Sequence, residues 1–220
     1  MPKKNNREYR DMVLEVVTRD EQEEDREGLM VVAGYASTFN DPYILYEDGE
    51  IIFREQVDPS AFDNTDMSDV IMQYNHEGRV FARITNDTLR VNPDERGLYI
   101  EADLGGTEIG RELYDEIRGG YTDKMSFGFI VNAEEELRTE AEDGRVDILR
   151  TITGISKLFD VSAVSIPAND GTSIGVSTRS KIDGVIEEVR AERLEAERLE
   201  LARRRAEVRA RALGKELNHD

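Results

Sequence analysis

Hydrophobic positions along this chain keep two rhythms. Through most of residues 11–169 they recur at every second position, as strands require, while one body segment and the C-terminal stretch follow the three-to-four spacing of helices. "DMVLEVVT" (11–18) alternates and predicts a first strand; "EQEEDREG" (21–28) predicts an acidic turn or loop. "LMVVAGYAS" (29–37) predicts an apolar strand, and "FNDPYILYEDGE" (39–50) has loop chemistry. In "DPSAFDN" (58–64), Asp58 is placed to cap a short helix with Pro59 at its first position. Strands follow in "DVIMQYNH" (69–76), in "RVFARITNDTLRV" (79–91) with a turn near Asn86, and in "GLYIEADL" (97–104).

The body helix is predicted over "GTEIGRELYDEIRGG" (106–120). Thr107 is its N-cap, Ile109, Leu113 and Ile117 share a face, and the closing glycines suit left-handed caps. "DKMSFGF" (123–129) returns to alternation: Met125, Phe127 and Phe129 point to one side, Lys124, Ser126 and Gly128 to the other. "EEELRTEAEDGR" (134–145) predicts an exposed hairpin tip. "VDILRTITGISKLFDVSAVSIPAN" (146–169) predicts two strands broken near Gly154 and ending at Pro167. Together these make a mostly β body with a few helices, an α+β barrel or sandwich.

After the Gly/Ser/Thr-rich linker "GTSIGVSTRS" (171–180) the beat changes for good. From Ile182 the chain is rich in Ala, Leu, Glu and Arg, without proline, and predicts a long helix. Its apolar positions keep no strict heptad, and many Glu and Arg lie three or four apart. A solvated helix and a coiled-coil partner element both satisfy that pattern. The domain reading is a body over 1–178 and a charged helical tail over 179–220.

Charge sharpens the division. Of a net −19, residues 183–220 hold 10 acids against 9 bases, so residues 1–182 carry 38 acids against 20 bases. An acidic body of this kind repels nucleic acid, and no nucleic-acid partner is expected. No apolar run approaches the roughly 20 residues of a membrane helix, "MPKKNNREYRD" lacks the apolar centre of a secretory signal, and no membrane partner is expected. The chain has no cysteine, which removes disulfides, thiol nucleophiles and cysteine–zinc sites. No calcium-loop, HExxH or phosphate-loop pattern occurs, so neither metal nor cofactor is expected.

The chemistry left is spare. His76 and His219 are the two histidines, and His219 is penultimate. A serine reaction with a histidine base would therefore use His76. On residue type alone, Ser37, Ser60, Ser126, Ser156, Ser162, Ser165 and Ser173 all compete as nucleophile, and a lone histidine is often structural.

Taken in order, "GYAS", "VDPSAF", "NHEG", the helix before "MSFGF" and the closing "DVSAVSIPAN" resemble the prohead proteases of tailed bacteriophages, over about residues 11–178. These are capsid-maturation serine peptidases related in fold to herpesvirus assemblins. The resemblance implies a β-barrel flanked by helices, Ser126 as nucleophile and His76 as base. It puts the third group at Asp160, where members commonly carry glutamate, with Asp147 and Asp170 as fallbacks. Gly128, on the Ser126 face, would let substrate backbone approach, and the "PAND" turn would offer Ala168 or Asn169 backbone N–H groups to an oxyanion. The implied work is cleavage of the scaffolding region of the major capsid protein or of a separate scaffold protein, and of the enzyme itself. It would take place in the host cytoplasm inside the immature capsid, and the enzyme would be absent from the mature virion. A homodimer, or a coiled-coil partner for the tail, is implied too. The alternatives are a non-catalytic assembly protein that keeps the fold, and an acidic DNA mimic.

Overall fold

A computed structural model of the chain describes residues 7–12, 17–18, 30–165 and 176–216. The chain divides into two compact units, Met1–Arg179 and Ser180–Asp220.

The first unit is built on two sheets. The larger one holds β1 (Glu8–Met12), β10 (Lys124–Glu140), β11 (Val146–Val164), β5 (Ile51–Val57) and β4 (Tyr43–Glu47), in that order. β10 and β11 form one long antiparallel hairpin. The far edge of β11 takes two parallel partners in succession: β5 along Val146–Ile152, and β6 (Ile71–Tyr74) along Asp160–Ala163. β7 (Glu77–Arg83) completes this sheet by pairing with β6. The smaller sheet runs β2 (Val17–Thr18), β3 (Val31–Thr38), β9 (Gly97–Asp103) and β8 (Leu89–Pro93).

One hydrophobic core takes side chains from both sheets. Val32, Ala36, Leu98 and Ile100 come from the smaller sheet; Met72, Met125, Phe127, Phe129, Leu158 and Val161 come from the larger. Leu113, Tyr114 and Ile117 of α1 (Glu108–Arg118) join them. Alternation along β10 thus sends its Met-Phe-Phe face inward and leaves the Ser126–Gly128 face on the outer side of the sheet.

Among the described residues the fold is mostly strand with two α-helices, as expected, but the sheets do not close into a barrel. One gap falls where the chain passes from β7 to β8. There the backbone bonds turn inward to a 3-10 turn at Ile84–Asn86, with Asp87 in the left-handed region at φ 60°. Asp87 N–H donates to Ile84 O and Thr88 N–H to Arg83 O, so no ladder carries across that corner.

Other expectations change in detail. β4 is a strand inside the segment with loop chemistry, and β5 is a strand that follows it, where none was expected. The inward residues of β5 are Ile51, Phe53, Glu55 and Val57. Polar residues 134–140 belong to β10, and the turn is confined to the residues after them. β11 runs unbroken through Gly154, where β10 shifts register opposite. A Cβ at Gly154 would lie 2.6 Å from Asn132 Oδ1, so the glycine makes room for that irregularity. Asp58 caps the 3-10 turn Pro59–Phe62, and Thr107 caps α1. Of the two glycines after α1, only Gly120 is left-handed. α2 (Val176–Glu216) starts earlier than Ile182, inside the segment read as linker. The acidic loop at 21–28 and Pro167 lie outside the described residues. Among the described residues, no helix is long and apolar enough to cross a membrane.

Candidate active site

The turn between β6 and β7 has two central residues, Asn75 at φ 50° and His76 at φ 57°, closed by the Tyr74–Glu77 pair. Two residues at positive φ make the tight hairpin turn whose twist matches the flanking strands. Asn is favoured at the first position and Gly at the second. His76 occupies the glycine's place, at a cost of about 1–2 kcal/mol for a residue with a Cβ. Asn75 N–H donates to Ala163 O at 3.0 Å, which ties the turn to β11.

β10 and β11 supply the rest. Their register sets Ser126 opposite Ser162 and Gly128 opposite Asp160, so all four share the outer face. His76 reaches across that face. Its Nε2 lies 2.5 Å from Ser126 Oγ, and its Nδ1 is hydrogen-bonded to Asp160 Oδ2. A carboxylate accepts, so Nδ1 carries the proton and Nε2 is left to accept from the serine hydroxyl. Ser162 Oγ donates to Asp160 Oδ2 at 3.1 Å and lies 3.3 Å from His76 Nδ1. Ser126, Asp160 and Ser162 are fully buried. A hydroxyl, an imidazole and a carboxylate in this line can transfer an acyl group: the hydroxyl attacks, the ring takes its proton, the acid holds the ring.

β1 lies beside β10 in the same sheet, and its outer-face side chains reach these groups. Its Arg7 end pairs with the second oxygen of Asp160, and the guanidinium sits 4.3 Å from the Phe159 ring centroid. The Tyr9 ring meets the His76 ring edge-on at 4.5 Å. Burial pushes the Tyr9 phenol up; Arg7 opposes that shift and Asp160 adds to it. Ser126 Oγ donates to Arg10 O at 2.8 Å, so one hydroxyl proton has two acceptors within reach. Arg7 Nε is buried without a partner, a loss of about 1–3 kcal/mol for such a donor. A Cβ at Gly128 would lie 2.5 Å from Asp160 Oδ1, 2.9 Å from Tyr9 and 3.0 Å from Arg7 Nε. The room that Gly128 leaves is filled by this chain's own side chains.

On its other face β1 enters a buried ion network. Arg10 donates to Glu55 at 2.5 Å and to Glu8 at 2.6 Å, and Arg150 to Glu55 at 2.5 Å and Glu8 at 3.0 Å. Arg150 also pairs with Glu134, and Tyr43 donates to Glu55 at 2.5 Å. Burial pushes the Glu8 carboxyl up, but Arg10 and Arg150 outweigh it and hold it at about 2. Glu55 is likewise lowered: burial opposes, and Arg10 prevails. Burial alone would pull both arginines down, and Glu55 instead drives them up.

The structure thus brings Ser126, His76, Asp160 and Gly128 together. Asp147 stands elsewhere, at the start of β11 and paired with Arg54. Ala168, Asn169 and Asp170 lie outside the described residues. Sequence reasoning named Ser162 only as a competing nucleophile and missed its place beside Asp160, although its spacing of two on one strand was a usable signal. It missed Arg7 and Tyr9 altogether.

Residues 15–185 match a family model described as caudovirus prohead serine protease. No curated protein and no solved structure matches the chain.

Proposed function

This chain belongs to the caudovirus prohead serine protease family, and we propose that Ser126, His76 and Asp160 are its nucleophile, base and orienting acid. The family's work is capsid maturation by a serine peptidase, within the host cell and the procapsid, among capsid and scaffold proteins. The observation that carries the residue assignment is the 2.5 Å approach of His76 Nε2 to Ser126 Oγ, with Asp160 on the ring's other nitrogen.

The substrate is the scaffolding region of the major capsid protein or a separate scaffold protein, and the enzyme cleaves itself as well. Ser126 Oγ attacks the scissile carbonyl carbon while its proton passes to Nε2. The imidazolium then returns that proton to the leaving amine, and water repeats the cycle on the acyl-enzyme. Asp160 does not take the proton; it holds the tautomer and stabilises the ring's charge. Backbone N–H groups of Ala168 or Asn169 serve the oxyanion, and Gly128 lies against the substrate backbone. The protease domain covers residues 1–178. The tail over 179–220 joins scaffold helices or a second copy, and the enzyme leaves the capsid as fragments before the virion matures.

Intact-mass measurement of the purified chain over time tests the assignment. Progressive self-fragmentation that stops in Ser126→Ala supports it. A chain that stays whole, and that leaves co-expressed capsid and scaffold proteins whole, is the non-catalytic assembly protein instead.

A further inference from the structure

Ser126 has no exposed surface, yet a nucleophile must meet a carbonyl carbon. The element standing in the way is β1, antiparallel to β10, with Tyr9 in register with Gly128 and Asp11 with Ser126. Three contacts of this strand each oppose the chemistry. The Arg10 carbonyl accepts the Ser126 hydroxyl, diverting the proton from His76. Arg7 occupies the Asp160 oxygen that His76 does not, and a second cation there disfavours the imidazolium that catalysis must form. The Tyr9 ring covers His76.

Two observations say that the strand can leave. Glu8 and Arg10 depart as one acid and one base, and Glu55 keeps its bond to Arg150 at 2.5 Å, so no lone charge is left buried. At the other end, Arg7 is held imperfectly, with Nε unpartnered. The region matched by the family model begins at residue 15, after this strand.

We propose that the β10 edge beside Ser126 is the docking edge for an extended substrate segment, and that residues 7–12 occupy it as an internal substitute until they are displaced. The incoming peptide adds antiparallel to β10, using the backbone bonds that β1 now holds, and its scissile carbonyl takes the place of the Arg10 carbonyl beside Oγ. The inference rests on Ser126 being the nucleophile.

The absence of cysteine makes a clean test. Met12 and Met125 are register partners. Antiparallel partners stand about 4.5–5.5 Å apart at Cα, within disulfide range. Met12→Cys with Met125→Cys, in the full chain, locks the strand when oxidised and frees it when reduced. The readout is the rate at which a fluorophosphonate probe labels Ser126. We expect labelling at least about tenfold slower in the oxidised protein than in the same sample reduced, the factor for a site open about a tenth of the time or less. Arg7→Ala with Tyr9→Ala should label faster than the parent chain. Equal rates in both redox states overturn the inference, as do thiols that stay unjoined under oxidant. So does a fall in labelling for the Arg7→Ala/Tyr9→Ala chain like that of Asp160→Asn, which would make β1 part of the machinery. Labelling that persists in Ser126→Ala defeats the serine assignment itself, and the inference with it.

Discussion

β1 carries two buried polar clusters, one on each face, and they are provisioned in opposite ways. On the core side, two guanidinium groups, Arg10 and Arg150, share three carboxylates, Glu8, Glu55 and Glu134. On the outer side, the single carboxylate of Asp160 serves Arg7, His76 and Ser162 at once. In the first cluster, against burial, the guanidinium groups drive Glu8 and Glu55 down, and those carboxylates drive the arginines up. A cluster short of acid leaves one proton, that of Ser126, between two acceptors. The first arrangement keeps its charges paired whether β1 is present or gone; the second leaves a proton free to move.

The sharpest way to break the outer cluster is to remove either end of its proton path. Ser126→Ala or His76→Ala should each lower single-turnover cleavage of a scaffold peptide by about a millionfold, and the double variant should be no worse. Additive losses would mean that the two do not act as one unit. Asp160→Asn should cost about ten-thousandfold in the same assay, by favouring the wrong tautomer, with the thermal midpoint little changed. Turnover near that of the parent would move the orienting role to another group.

The core-side cluster should respond in stability rather than rate. Arg150→Met leaves Arg10 as the one guanidinium between Glu8 and Glu55 and should cost about 3–5 kcal/mol in denaturant unfolding; a loss below about 1 kcal/mol would show that the network is not tightly closed. Its pH dependence has a definite sign. The Glu8 carboxyl lies at about 2 in the fold against 4.5 ordinarily. Its contribution, about 3 kcal/mol, is therefore whole above pH 4.5 and is lost as pH falls toward 2. Unfolding curves across that window should lose this slope in Glu8→Gln. The smallest effect should come from His76→Gly, which relieves the left-handed backbone. It should leave the protein equal or up to about 1 kcal/mol more stable while abolishing cleavage. Marked destabilisation would mean that the imidazole contacts outweigh the strain.

The site's outer face was legible because alternation is a strong signal where apolar and polar residues take strict turns, as in "MSFGF". His76 stood out by scarcity, and Asp160 by its place in a resembling motif. The failures have physical causes. In β5, Glu55 interrupts the apolar face, yet it is buried because Arg10 and Arg150 neutralise it there. Residues 134–140 carry little apolar surface, and their pairing is supplied by β11, whose Ile148 and Ile152 are buried. Gly154 imitates a break because packing against a bulge and ending a strand both call for a missing side chain. Arg7 and Tyr9 sit in a polar stretch whose partners, Asp160 and His76, are distant in the chain, and no local pattern announces such a contact.

The separation of β1 from β10 also sets an order in time. The 116 residues between Arg10 and Ser126 take about 6–23 s to translate at roughly 5–20 residues per second. Residues 7–12 emerge first, His76 next, Ser126 after it and Asp160 last. The group that completes the hydrogen-bonded line is thus made when the strand that covers it has long been available. No stage of synthesis presents Ser126, His76 and Asp160 together to the proteins of the host cell before the chain holds the means to cover them.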